Sequence, residues 1–180
     1  MRIVSPGHET AGVPLAENFL KRINSPIAIN ERVVPLVANH LAHFQNITDR
    51  ALRRLAKRLE PETIQGLCVV MTADSMGRPP RPAVVPENVK TLLARAHELQ
   101  IQSNAPQPIL LGRHLLDLGM SPGKELGPIL HEAFEAQLEG NFFDLPGAFR
   151  WLSAQAEFQL PEEVQERLRE KVQKQTSSDS

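Results

Sequence analysis

The sequence predicts an all-α protein, built as two helical subdomains joined by a proline-rich linker. Three observations carry this expectation. Apolar residues recur at i, i+3, i+4 and i+7 in segment after segment, and no segment alternates apolar and polar residues as a half-buried strand would. Capping residues and first-turn prolines stand where these periodic segments begin. One stretch, Gly77-Arg-Pro-Pro-Arg-Pro82, interrupts the series: its prolines remove backbone donors and hold the chain extended.

Taken in order, the first helix runs from His8 to Ile23, with Val13, Leu15, Ala16, Phe19, Leu20 and Ile23 along one side. Asn30 is a good N-cap for a second helix to Phe44, whose inward residues are Val33, Val34, Val37, Leu41 and Phe44. Thr48 caps a third, with Leu52, Leu55 and Leu59 as its stripe. Pro61 opens a fourth, which is apolar through Met71 and ends near Asp74. Beyond the prolines, helices are expected over 87–100, 112–118, 122–139, 146–155 and 161–174, and the polar end from Gln175 to Ser180 should fray. The expected division is a first helical domain over 1–76, a linker over 77–86, a second helical domain over 87–158, and a terminal helix with a tail over 159–180.

The 180 residues suit one ordinary domain or two small ones. With 41% hydrophobic and 23% charged residues the chain should fold rather than stay disordered. No apolar run approaches the ~20 residues of a membrane span. The start Met-Arg-Ile-Val-Ser-Pro-Gly-His-Glu lacks the apolar centre of a signal peptide. Cys68 stands alone inside the apolar run Leu67 to Met71, so a disulfide framework and a cysteine zinc site are both excluded, and a reduced thiol fits the cytoplasm. The formal net charge is -1, from 20 basic and 21 acidic residues. Any contact with nucleic acid must therefore be a local patch.

Three groups of residues could carry chemistry. Arg50, Arg53, Arg54 and Lys57 follow i, i+3, i+4, i+7 opposite Leu52, Leu55 and Leu59, a basic stripe suited to a phosphate backbone. A solvated helix face paired with acids elsewhere gives the same pattern. In the second group, Gly112 and Gly119 flank a short helix, Ser121 is a natural N-cap and Pro122 a first-turn residue. Free N–H groups at that helix start, beside Gly123, can meet a phosphate oxygen, with Arg113 and Lys124 adding charge. A plain helix corner with glycines for close packing is the alternative. Third, His8, His40 and Asp74 on different helices could bind a divalent metal as in HD-type phosphohydrolases. The adjacent His-Asp pair of that class is absent, and His43, three residues after His40, adds no clear ligand. Capping and core-edge roles explain the same three residues.

The groups that a polymerase needs are missing. No Gly-Ser pair precedes an Asp-x-Asp pair, and there is no phosphate-binding loop of the Gly-x-x-x-x-Gly-Lys type.

The run from Ile109 to Gly140 resembles the C-terminal segment of bacterial CCA-adding enzymes, the tRNA nucleotidyltransferase and poly(A) polymerase family. The family pattern falls on Leu110, Gly112, Leu115, Gly119, Pro122, Gly123, Leu126, Gly127, Leu130, Gln137, Leu138 and Gly140. The first half, with Ser5 to Glu9, Ala11-Gly12, Val33 to Leu41 and Ala73 to Ser75, resembles the HD-like helical body of many members. The resemblance implies a tRNA-binding body and tail, with His8, His40 and Asp74 at late positions of an incomplete HD site. It implies tRNA as partner, no membrane, and either a separate catalytic head or self-association. Mg2+ with CTP and ATP would belong to that head, and this chain alone would hold no cofactor. A remnant HD-type phosphohydrolase and a non-catalytic helical scaffold are the alternative readings.

Overall fold

The computed structural model describes residues 8–40, 47–77 and 84–176, with the side chains of 8–10 and 174–176 left aside. Among the described residues every regular element is a helix, as the periodicity predicts. The chain forms two compact units, Met1–Pro106 and Gln107–Ser180.

The first unit contains α1 (His8–Arg22), α2 (Ile27–Asn39), α3 (Asp49–Leu59), α4 (Ile64–Met76) and α5 (Glu87–Glu98). Its core joins Leu52, Leu55 and Leu59 of α3 to Ile64, Leu67 and Met71 of α4, and to Val89, Leu92 and Ala96 of α5. The apolar face of α5 is thus spent on the helices before the proline run. The units divide at Pro106/Gln107, not at the 77–86 stretch expected to separate them; of that stretch, 78–83 lies outside the described residues. A proline run reports on its own backbone, whereas a domain boundary is decided by where the next apolar face is buried.

Helix starts follow side-chain caps where these exist. Thr48 takes the Ala51 N–H at 3.2 Å, as expected for α3. Thr63, not Pro61, starts α4, its hydroxyl accepting from Gly66 at 3.0 Å. Helix α2 begins at Ile27 after Pro26, so Asn30 lies inside it rather than capping it; there its side-chain oxygen is buried with no partner.

The second unit contains α6 (Gly112–Asp117), α7 (Leu126–Glu139), α8 (Leu145–Ser153) and α9 (Glu162–Thr176), with a 3-10 turn over Ala156–Phe158. Leu115 and Leu118, Ile129 and Ala133, Phe149 and Leu152, and Val164 and Leu168 meet in one core. The terminal helix therefore completes this unit instead of trailing from it. Four helices end the same way. After α1, α5, α6 and α7 the chain turns left-handed at Asn24, Gln100, Gly119 and Gly140. Each turn has its N–H bonded three residues back and the following N–H bonded five back, as in Gly119 to Leu116 at 2.8 Å and Met120 to Leu115 at 3.1 Å. This double bond satisfies the carbonyls that a helix end leaves open.

Candidate nucleic-acid interface

On α3 the four cations of the expected stripe share one face, because Leu52, Leu55, Ala56 and Leu59 occupy the other. Arg50 and Lys57 are exposed, while Arg53 and Arg54 are half-buried. Acids at the two ends of the helix are engaged with cations. Lys57 pairs with Glu60 at 2.5 Å. Asp49, at the start of the helix, takes two bonds of 2.7 Å from Arg95 of α5. The Arg95 guanidinium, with Arg53 adding its charge, holds the Asp49 carboxyl below the usual carboxylate range. Such exposed pairs contribute modestly to stability, but they offset part of the stripe's positive potential.

The corner from Gly119 to Lys124 differs from its expected form. Helix α7 starts at Leu126 with Glu125 at its N-cap position, so Ser121 caps no helix and Pro122 is not in a first turn. The Glu125 carboxylate folds over Gly123, occupying the place a side chain there would take. An acid at that point opposes a phosphate approaching Gly123, and the helix start lies three residues beyond it. Gly119 has a different requirement. Its φ of 97° is the left-handed stop of α6, and a Cβ there would stand 2.9 Å from Nη1 of Arg167.

That contact exposes residues the sequence did not single out. Arg167 of α9 reaches the end of α6. One turn further, Lys171 lies close enough, with Arg113, to act on His114 electrostatically. Two cations, Arg113 of α6 and Lys171 of α9, thus act on one imidazole, with Asp117 as the acid at the same place, while Arg167 stands against Gly119. The His114 ring is itself held from both sides: Nδ1 accepts the Leu111 N–H at 3.1 Å, and Arg113 Nε lies 3.3 Å from Nε2. Burial first, and then the charge of Arg113, push its pKa down. The α9 side chains reach the end of α6 only through tertiary packing, in which α9 lies mainly on α8, so periodicity within either helix could not reveal it. Lys124 is exposed on the connection before α7.

Gln137, part of the family pattern, is a structural strap. It is 8% exposed; its Oε1 accepts the Ile109 N–H at 2.9 Å, and its Nε2 donates to the Gln107 carbonyl at 2.8 Å. It ties the entry of the second unit to the last turn of α7.

Among the described residues no group of three His, Cys, Asp or Glu side chains could hold a metal ion; of the three expected ligands, only the His40 and Asp74 side chains fall within them. His40 follows the last turn of α2 and donates from Nδ1 to the Val37 carbonyl at 2.6 Å. Asp74 is half-buried on α4. The His8 side chain, and all of His43, lie outside the described residues. Cys68 is buried, and burial pushes its thiol up to about 11. No described helix is long and apolar enough to cross a membrane.

An all-α chain with a basic cluster at one helix junction belongs to no single function by geometry alone; comparison with known proteins narrows it. The chain is 29% identical over 135 residues to a CC-adding tRNA nucleotidyltransferase of Thermus thermophilus, covering 74% of this chain and 30% of that protein. It is also 29% identical over 138 residues to an A-adding tRNA nucleotidyltransferase of Deinococcus radiodurans, covering 74% and 31%. The similarity thus extends well beyond Ile109 to Gly140: most of the chain is similar to a part of these two bacterial tRNA nucleotidyltransferases. It spans about 30% of the length of these curated relatives. No family model matches the chain, and no solved structure matches it.

Proposed function

We propose that this chain is a tRNA-binding helical body and tail of the tRNA nucleotidyltransferase kind, with nucleotidyl transfer performed by a catalytic part that these residues do not contain. The cations near α6 carry the reading: Arg113 and Lys171 acting on His114, and Arg167 against Gly119 at the helix end. Cations gathered by tertiary packing onto one spot form the local patch that a chain of net charge -1 needs to hold a phosphate backbone. Lys124, and the α3 face of Arg50, Arg53, Arg54 and Lys57, supply further positive charge within their own units. The tRNA-acting relatives support tRNA over other polyanions.

The divalent metal that the resemblance implies has no fitting ligand set among the described residues, and no catalytic step is assigned to it. Phosphate contacts position an RNA without reading its sequence. The chain should therefore retain different tRNAs with similar affinity at low salt. A filter-binding titration with two unrelated tRNAs tests this: retention of both, lost as salt rises, is expected, and retention of neither overturns the proposal.

A further inference from the structure

The connection between α7 and α8 holds an aromatic ring out of the protein on a backbone fixed at both ends. Upstream, Gly140 turns left-handed at φ 91° and the Asn141 N–H closes the end of α7 on Ala136 at 3.0 Å. Downstream, Asp144 caps α8, its Oδ1 accepting the Gly147 N–H at 2.6 Å. A Cβ on Gly147 would stand 2.8 Å from Cβ of Phe142, so the start of α8 presses directly on the connection. Between these points Phe142 turns inward, its ring centroid 5.9 Å from that of Trp151. Phe143 turns outward and is 70% exposed. Phe143, Asn141, Arg150 and Trp151 border a cavity of about 440 Å³.

We propose that Phe143 and Arg150 form a stacking site for an unpaired nucleobase of RNA. A flat apolar ring stacks on the face of any base. A guanidinium beside it can stack in turn or meet the adjoining phosphate, and the Asn141 amide offers a donor and an acceptor to a base edge. The volume suits a small planar group. Holding the ring between two helix caps means that little conformational freedom is lost on binding. Asp144 lies at the same rim, but its Oδ1 is engaged by the Gly147 N–H. The ring needs an open base face, so the site takes a loop or single-stranded end rather than a duplex. This inference rests on the tRNA reading above and adds a second, non-ionic contact to it.

Trp151 is the single tryptophan of the chain and borders the same cavity, so its emission reports on occupation. The full chain is titrated with tRNA at low salt, following Trp151 emission and filter retention together. The expected result is a saturable emission change that tracks retention. Phe143→Ala should weaken binding roughly ten- to a hundred-fold, Phe143→Tyr should restore it, and Arg150→Gln should lower the salt slope by about one. Circular dichroism verifies that each variant remains helical. Retention of tRNA with silent Trp151 emission and an unaffected Phe143→Ala variant overturns the stacking site and leaves the tRNA reading standing. Loss of all retention overturns both. An emission change that depends on protein concentration without RNA marks a protein contact, and also overturns the stacking site.

Discussion

Replacing Gln137 by Met removes the strap of the second unit while nearly keeping its volume. In the parent chain the side chain satisfies two backbone groups, Ile109 N–H at 2.9 Å and Gln107 C=O at 2.8 Å, from an 8% exposed position. Methionine can serve neither group well. Each buried group left unsatisfied costs about 1–3 kcal/mol, and water entering from the surface relieves part of that. The loss should be about 2–4 kcal/mol, a large share of the stability of a small unit. Gln137→Glu refines the test. It keeps an acceptor for Ile109 but turns a carboxylate oxygen toward the Gln107 carbonyl, so the folded state favours the protonated acid. A raised folded pKa means that stability is present at low pH and is lost as pH rises through it. The Glu variant should therefore recover toward the parent as pH falls toward 4.5. Urea unfolding followed by Trp151 emission measures both variants within the second unit. A Met variant within 0.5 kcal/mol of the parent would refute the strap.

Three further outcomes follow from the same geometry. Gly119→Ala forces a Cβ into a left-handed position 2.9 Å from Arg167 and should cost about 1–3 kcal/mol in the same assay; a neutral result would show that α6 does not need this stop. The lowered His114 pKa means that the folded state prefers the neutral ring, so its contribution is complete above the ordinary imidazole value of about 6.5 and is lost as pH falls from there through the lower folded pKa. Stability measured from pH 7.5 to 5 should fall more steeply in the parent than in His114→Asn, and parallel curves would remove the assignment. The Cys68 thiol, buried and raised to about 11, should resist a thiol reagent at pH 8 until urea is added; rapid native labelling would contradict the packing of α4.

The helical class was legible because periodicity is a local property, and Leu52, Leu55 and Leu59 stand on one face whatever they touch. What was not legible depended on partners. Three apolar residues on α5 do not say which side of a proline run they will pack on. Ser121 has the chemistry of a cap, yet the helix begins at Leu126 and Glu125 covers the glycine meant for an anion. Gln100 adopts a left-handed turn that glycine or asparagine would have advertised. Arg167 and Lys171 look like ordinary solvated charges on a terminal helix until tertiary packing brings them to the end of α6. The family pattern was readable residue by residue, but it could not separate positions that strap the backbone, such as Gln137, from positions that offer charge.

The central claim is that the α6–α9 cation cluster holds tRNA phosphates, and the salt dependence of tRNA affinity tests it most directly. The slope of log K against log salt counts the phosphates neutralised. Arg113→Gln, Arg167→Gln and Lys171→Gln together should flatten that slope by two to three and weaken binding to different tRNAs alike. An unchanged slope in a folded triple variant would place the RNA elsewhere and contradict the account.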